Sequence, residues 1–557
     1  MSTNSSSELE LADLPETPDT TGAYPRLSDE QIMLLSQYGD RKTLPQGTTL
    51  FCAGDRDCGL FVVLDGRVRV VQEEGPEEER VIAVHGPGRF VGDLSMLTGQ
   101  AVYVTALAQT DVDVLEVPYD RLKAAVTQDQ ALGDLILRAF IMRRTIHAIL
   151  GAGLRIIGSR YSADTRRLRD FASRNRIPCR WDDVEEDPDA EATLRAFDIP
   201  PAQTPVVIWK GQTVLRNPSN TELADLIGLR AAPKRAAYDV VVVGAGPGGL
   251  AAAVYAASEG LSTVVLDALA TGGQAATSSQ IENYLGFPAG ITGAELADRA
   301  VVQARKFGAA FSIPGEATSL TQADGYHVVG LADGGDLVAH AVLVATGVRY
   351  RRLDVPGLDR LEGSSVYYAA TESEARLCQQ DPVTVVGGGN SAGQAACFLA
   401  RRSPVVNLVI RHDDLGRDMS RYLADRVEQS PRIKVWRHTE VSELIGDEAL
   451  DEVVLHDLRT DAKHRVPTTA LFVLIGAAPY TSWLQGEIPL DAKGFILTGP
   501  AADGSDGSDG LFETRRPGVF AVGDVRSGSV KRVASAVGEG AVVIRQVHEF
   551  LEAEGRR

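Results

Sequence analysis

The apolar positions of this chain fall into successive rhythms. Residues 1–25 have none: MSTNSSSELELADLPETPDTTGAYP is polar, acidic and rich in Pro and Thr, and reads as a disordered arm. From 26 to 150, β-branched residues alternate with polar ones in short runs broken by turn residues, as in GTTLFCAGD, GLFVVLDGRVRVVQ and VYVTALAQTDVDVLEVP. Ser28 with Gln31 predicts a capped helix at the start of this unit, and residues 118–150 predict a helical close. Within that close, DLILRAFIMRRTIHAIL repeats its apolar residues at three and four, which suits either a subunit interface or a cap on the unit's own barrel.

Residues 153–228 follow a different rhythm. The strand patterns LRIIGS, IPCRWDDVE, TPVVIW and GQTVLRN alternate with the helical patterns SADTRRLRDFASRN, ATLRAFDI and NTELADLIGL, which makes a small α/β unit. Residues 229–236, holding RAAPKRA, read as a linker. Beyond it, two unbroken β-branched runs, YDVVVV and VTVV, each lead through a glycine loop into an Ala-rich helical pattern, as strands buried on both faces of a parallel sheet do.

These two loops carry the clearest chemistry. VVVVGAGPGGLAAAVYAA puts Gly244, Gly246 and Gly249 at the G-x-G-x-x-G positions, with Pro247 and Gly248 between them. VTVVGGGNSAGQAA does the same with Gly387, Gly389 and Ala392, around Asn390 and Ser391. Such loops let a pyrophosphate approach the backbone and rest on the positive N-terminus of the following helix. Asp267 ends the next strand, where a carboxylate can hold a ribose hydroxyl. At the matching point after the second loop, VNLVI ends in Arg411, with His412 and Arg417 following. A guanidinium there favours a ribose 2′-phosphate, hence NADPH over NADH; its alternative role is a solvated charge at a strand end. Two dinucleotides in one chain are most simply a flavin, FAD, and a nicotinamide, NADPH.

Composition narrows the setting. A chain of 557 residues is too long for one core. Its formal charge of −19 repels phosphate backbones, so no nucleic-acid partner is expected. The N-terminus lacks the basic start and apolar core of a signal peptide, and no apolar run reaches the ~18 residues of a membrane span. Five scattered cysteines suit a reducing, cytoplasmic setting, and no metal site is expected.

Further segments add a resemblance. ATGGQAATSSQIENYLGFPAGITGAEL, VLVATGVRYRRLDVPG, PGVFAVGDV and KRVASAVGEGA, taken with the two loops, closely resemble the low-molecular-weight thioredoxin reductases over residues 237–557. The resemblance implies a flavin domain of 237–352 and 486–557, a nucleotide domain of 353–485 inserted within it, and a homodimer. It implies that Gly273, Gln274, Ser279 and Asn283 line the flavin, with Thr346 and Gly347 in the same site. Gly523 and Asp524 would hold the ribityl and phosphate region. The helix after Lys531, opening at Arg532 and Val533, would aim its N-terminus at the ring, and Gly476 would join the nucleotide side. Backbone amides and a helix dipole there would stabilise an anionic reduced ring. Residues 498–512, TGPAADGSDGSDGLF, read as a low-complexity surface loop.

One element of that family is missing. Its redox dithiol lies just before the second loop, where this chain reads Tyr368-Ala369-Ala370-Thr371-Glu372. Disulfide exchange needs an attacking thiolate and a second thiol to resolve the mixed disulfide, and neither is present. Cys52, Cys58 and Cys179 lie far off in sequence, and Cys397 reads as small core filler. Cys378 is the one cysteine near the vacated motif. Glu372 suits either a proton donor beside a reduced ring or a solvated carboxylate at a helix start.

The front units carry resemblances too. LFxxGD, LFVVLDGRVRV and FVGDLSMLTG are similar to cyclic-nucleotide-binding domains. In that family a Gly-Glu-Leu turn holds the ribose and an arginine shortly after it pairs with the cyclic phosphate. This chain has Gly92-Asp93-Leu94 and, at the arginine position, Val102, which removes a charge-assisted contact and weighs against a cyclic-nucleotide partner. Residues 153–228 resemble a thioredoxin or glutaredoxin domain, with Thr204-Pro205 at its cis-proline site and Ser159-Arg160-Tyr161-Ser162 where the cysteine pair belongs.

The expected fold class is multidomain: two Rossmann-like α/β nucleotide-binding domains, each three-layered, preceded by a β-roll resembling cyclic-nucleotide-binding domains and a small thioredoxin-like α/β domain. Three functions are open. The first is a flavoprotein oxidoreductase that passes hydride from NADPH to FAD and on to an unidentified small-molecule or protein acceptor, with no catalytic side chain assigned. The second is a thioredoxin-disulfide reductase using a single or external thiol. The third is a redox sensor or scaffold with bound flavin and nucleotide.

Overall fold

A computed structural model describes residues 14–556, apart from Asp57, 74–78, 231–234, Ser279, Gly363, Ala369, 371–374, Arg376, Leu377, Gln379, Glu448, Gln485 and 501–510. The chain forms two compact units, one built from residues up to 232 and the other from the greater part of 233–557. Among the described residues no helix is long and apolar enough to cross a membrane.

The first unit opens with the capped helix Asp29–Leu35, where Gln31 N donates to Ser28 Oγ (3.2 Å) and Ser28 N to Gln31 Oε1 (2.9 Å). Two antiparallel four-stranded sheets follow. One runs in the order Asp40–Leu44, Val112–Val117, Leu60–Asp65, Phe90–Val91; the other runs Thr49–Phe51, Thr105–Ala108, Val68–Glu73, Glu79–His85. The alternating patterns place Val68, Val70 and Val71 in the interior, and the helix Gln130–Leu150 buries Ile136, Ala139 and Phe140. The expected arm differs from its composition. Residues 1–13 lie outside the described residues, but 14–25 lie along the roll: Thr17 N donates to Val84 O (3.1 Å), Val84 N to Thr17 Oγ1 (2.9 Å), and Tyr24 is 5% exposed. Backbone carbonyls of this segment, accepting from Arg67, Arg89 and Gln109 of the roll, and the Thr17 hydroxyl hold it, and composition does not encode those partners.

The same unit contains a four-stranded sheet ordered Cys179–Asp182, Leu154–Ile157, Val206–Trp209, Thr213–Arg216. The first pair is parallel and the others antiparallel, with helices Ala163–Arg174 and Pro188–Ala196 between strands and Asn220–Leu226 after the last. Ser162 caps the helix Ala163–Arg174, and Ser159 Oγ donates to Glu185 (2.7 Å). The Thr204–Pro205 peptide is cis. This sheet joins the roll through Tyr103 and Trp209, ring to edge at 5.6 Å, and through Ala101 N to Ile227 O (3.2 Å).

His147 of the long helix is 4% exposed, and burial lowers its pKa to about 4; His85 is held well below its usual value, again chiefly by burial. The unfolded chain protonates His147 near pH 6.5 and the folded unit only near pH 4, and His85 shifts in the same direction. Stability is therefore fully present above the unfolded value and drains as pH falls through that window, by about 3 kcal/mol from His147. Calorimetry at pH 7, 6, 5 and 4 is expected to show the first unit melting progressively earlier; an unchanged melting temperature from pH 6.5 to 4.5 contradicts this.

The second unit is built on two parallel sheets. In the first, Thr263–Leu266, Tyr238–Val243 and Asp336–Val344 lie side by side and parallel, and Tyr326–Leu331 and Ala317–Ala323 extend the sheet as an antiparallel wing. Val519–Ala521 returns from near the C-terminus to pair in parallel with Asp336–Val344. In the second, the order is Val366–Tyr367, Ala470–Val473, Val383–Val386, Val406–Val409, Ile433–Trp436, all parallel. An antiparallel sheet of Thr439–Ile445, Glu452–Asp457 and Lys463–Pro467 accompanies it. The valine-rich strands Tyr238–Val243 and Val383–Val386 are central and buried, as β-branched runs require. Between the two sheets the chain passes twice, through Val348–Tyr350 and Ala477–Pro479, which pair antiparallel.

Candidate dinucleotide sites

The first glycine loop joins Tyr238–Val243 to the helix Pro247–Ser258. Gly244 sits at φ +111°, and a Cβ there would lie 2.3 Å from Ala345 O. A Cβ on Gly249 would lie 1.9 Å from Gly244 O, so this glycine sets how closely helix and loop approach. Gly246 differs: among the described residues its Cβ would meet nothing within 4 Å. Gly248 packs against the helix Val533–Ala553, its Cβ position 3.2 Å from Ala536 O. The helix opens with Pro247 in its first turn and has no side-chain cap, whereas Thr292 caps the neighbouring helix Gly293–Lys306. Orphan N–H donors facing open space are what a pyrophosphate needs.

Asp267 stands where the sequence places it. Its Oδ2 accepts from Ala245 N (2.9 Å), and its Oδ1 accepts from Leu269 N and Ala270 N (3.0 and 3.1 Å), so it holds the loop. Gly273, at φ +53°, brings its Cβ position within 3.0 Å of Gly246 Cα, which places the 272–277 turn beside the loop. Gln274 Nε2 donates to Val348 O, and Thr346 Oγ1 to Tyr480 O (2.9 Å), beside Gly347 with its open space. Asn283 is exposed on its loop, and Ser279 lies outside the described residues.

The other wall comes from the C-terminal segment. Gly523 (φ +72°) and Asp524 form a tight turn after Val519–Ala521, and burial raises the Asp524 pKa. Lys531 Nζ donates to the Asp524 carbonyl and to Ser529 Oγ (2.8 Å), 4.5 Å from the Phe495 ring centre; burial lowers its pKa. Arg532 and Val533 open the helix Val533–Ala553, again without a side-chain cap. Sequence reasoning missed Glu539 on that helix. Its carboxylate accepts from Gly523 N (2.7 Å) and from Arg526 Nη2 (2.7 Å), with the two side chains 13% and 20% exposed. An acid in the second turn of the helix, within VGEGA, was the available signal.

The second loop repeats the arrangement. Gly387 (φ +139°) brings its Cβ position within 2.2 Å of Leu474 O, while Gly389 has nothing nearer than Asp418 O at 3.8 Å. The helix Asn390–Leu399 lacks a side-chain cap. Buried Ala392 fills the third glycine position, and Asn390 Oδ1 accepts from Ser420 N (2.7 Å); Ser391 is exposed. At the strand end, exposed Arg411 pairs loosely with Glu440 (3.7 Å), and Arg417 Nη1 lies 3.0 Å from His412 Nδ1. Gly476 (φ +95°) faces open space. Arg417 thus lies against His412, with Arg411 next to His412 at the strand end.

Of the vacated dithiol region, Ala369, Thr371 and Glu372 lie outside the described residues. Tyr368 Oη donates to Glu362 Oε1 (2.6 Å), Arg352 grips the same carboxylate, and the Tyr350 ring stacks on Tyr368 at 6.2 Å. Burial and then Glu362 push the Tyr368 pKa up to about 12. Cys378 is 2% exposed, inside the cluster of Val383, Val385, Ala392 and Phe472. Cys397 is half-buried against the same core, and burial raises its pKa. None of the five cysteines is paired in a disulfide.

Residues 238–540 match the family profile described as Pyridine nucleotide-disulphide oxidoreductase, and residues 41–129 that described as Cyclic nucleotide-binding domain. The thioredoxin reductase of Treponema pallidum is 32% identical over 316 residues, spanning 57% of this chain and 97% of that protein. Among solved structures, the thioredoxin reductase of Lactococcus lactis in its FR conformation aligns at TM-score 0.52 and 27% identity, over 57% of this chain and 99% of that one. The T. acidophilum thioredoxin reductase aligns at TM-score 0.52 and 29% identity, over the same shares of the two chains.

Proposed function

The chain belongs to the pyridine nucleotide-disulphide oxidoreductase family, and from that premise we propose that it is an NADPH-dependent flavoprotein oxidoreductase whose electrons leave by a route other than a dithiol. When bound, FAD supplies the chemistry of accepting a hydride from NADPH and passing two electrons onward. The residues at hand suit that pair. Gly246 and Gly389 leave room at two uncapped helix N-termini, where phosphate charge meets free N–H donors. Asp267 fixes the first loop, and Arg411 and Arg417 present cations for a 2′-phosphate.

The observation that carries the proposal is the contrast between these two sites and the cysteines. The dithiol motif reads Ala369 to Glu372, and the nearest thiol, Cys378, is packed into the nucleotide-domain core. A thiolate attacks a disulfide only when it can reach it, and a thiol enclosed in the core is out of reach of an external disulfide. This favours a small-molecule or one-electron acceptor over a protein disulfide.

Anaerobic stopped-flow mixing tests the proposal. NADPH is expected to bleach the yellow flavin band, and a quinone or oxygen to restore it, while thioredoxin disulfide is not reduced in step with NADPH use. Arg411→Ala and Arg417→Ala are each expected to raise the KM for NADPH about tenfold, leaving kcat and the KM for NADH unchanged. A flavin that NADPH never bleaches, or stoichiometric reduction of thioredoxin disulfide, rules the proposal out.

A further inference from the structure

The roll of the first unit holds a cation where its family resemblance implies an anion. Gly92, Asp93 and Val102, the positions at which a cyclic-nucleotide-binding domain would meet ribose and phosphate, line a cavity of about 10 Å³ together with Tyr24, His85, Arg143 and His147. That is room for about one water, against the ~300–1,000 Å³ of a small-molecule pocket. The missing volume is filled from within. Arg143 of the helix Gln130–Leu150 is 2% exposed. Its Nε donates to Ala23 O (2.7 Å), Nη1 to Gly92 O (2.7 Å) and Nη2 to Phe90 O (2.9 Å). Its guanidinium carbon lies 4.6 Å from the Phe90 ring centre, 5.5 Å from that of Tyr24 and 5.7 Å from that of Phe140.

Each guanidinium nitrogen thus has a carbonyl partner, and three aromatic rings surround the plane. Such a lining suits a delocalised cation and repels a phosphate. Burial lowers the Arg143 pKa to about 10, so the group stays charged at neutral pH. Next to it, Arg144 donates to Ser95 Oγ (2.9 Å), faces Asp93 at 3.7 Å and lies 4.9 Å from the Tyr103 ring centre, so the one acid of the Gly-Asp-Leu turn already faces a cation of this chain.

We propose that this pocket is a guanidinium site filled in cis by Arg143, and that the segment 14–27, which supplies Ala23 and Tyr24, is the strap that closes it. The roll then carries a built-in ligand and takes no cyclic nucleotide. The strap is held by Leu27 N to Gly88 O (2.8 Å), Arg89 Nη1 to Thr17 O (2.5 Å) and Gln109 Nε2 to Leu14 O (3.2 Å), which span the roll.

Chemical rescue in the full-length chain tests the assignment. Arg143→Ala leaves a guanidinium-shaped hole and is expected to lower the first calorimetric transition by several degrees. Low-millimolar ethylguanidinium is expected to restore it saturably in the variant and to leave wild type unmoved, whereas ethylammonium, a point charge without the planar fork, restores little. Cyclic AMP and cyclic GMP are expected to give wild type no saturable heat in isothermal titration. Saturable binding of either nucleotide to wild type, or an equal shift of wild type and variant by ethylguanidinium, overturns the proposal. Should Arg143→Ala fail to fold, Arg143→Lys decides with the titrations. It keeps the charge and loses the fork, so it is expected to melt several degrees below wild type, and an unchanged melting temperature overturns the assignment.

Discussion

Two alanine substitutions three residues apart, Gly246→Ala and Gly249→Ala, are both expected to yield colourless protein, for different physical reasons. At Gly249 the added Cβ falls 1.9 Å from Gly244 O, a backbone atom that cannot rotate away. Helix Pro247–Ser258 must lift from the loop, so the flavin-free protein itself loses stability, by about 2 kcal/mol or more as in other overpacked sites. At Gly246 the Cβ meets no atom of the described residues within 4 Å and the φ of −73° is ordinary for alanine. The flavin-free protein is then expected to melt as wild type does. The same methyl occupies the space through which a pyrophosphate would approach the helix N-terminus, so FAD affinity is expected to fall at least a hundredfold. Calorimetry of the flavin-free proteins, followed by FAD titration through fluorescence quenching, separates the two. Yellow Gly246→Ala protein with wild-type affinity would mean that the loop does not hold the pyrophosphate.

The second large effect is expected at Glu539, which is remote from the glycine loops in sequence. Glu539→Ala leaves Arg526 largely buried without its carboxylate and Gly523 N–H without its acceptor. Breaking a buried pair from one side costs about 3–5 kcal/mol, because the remaining charge stays desolvated. The cost falls on the turn that carries Asp524, so flavin retention and stability are expected to drop together. Glu539→Gln keeps an acceptor for Gly523 N–H and loses only the charge, and an intermediate loss is expected. Flavin retained through gel filtration, with an unchanged melting temperature in Glu539→Ala, would contradict a positioning role.

Much of the second unit was legible because its signals are local. Glycine spacing, β-branched strands and the Asp267 strand end each depend on a few neighbouring residues, and the structure places them together. Glu539 was not legible, because an acid on a helix face looks solvated until the fold brings Gly523 and Arg526 against it. Arg143 was hidden for a related reason: within DLILRAFIMRRTIHAIL it reads as a polar break in an apolar repeat, and only the carbonyls of Ala23, Phe90 and Gly92 turn it into an occupant. Composition alone reads the segment 14–25 as disordered, because its bonds to the roll run through its own carbonyls and the Thr17 hydroxyl to Arg67, Arg89, Gln109 and Val84. Cys378 could be singled out by its distance from the vacated motif, but its burial depends on how Val383–Val386 and Asn390–Leu399 pack around it.

On the proposed route electrons enter this chain as in a disulfide reductase and find no dithiol beside the flavin. Counting them tests this most directly. Anaerobic titration of the flavin-loaded full-length chain with a two-electron reductant, followed at the flavin absorption band and by thiol assay of the denatured product, gives the number of equivalents taken up per flavin. One equivalent is expected, with five thiols per chain before and after reduction. Uptake of two equivalents, with two new thiols appearing, would reveal a redox-active disulfide and contradict it.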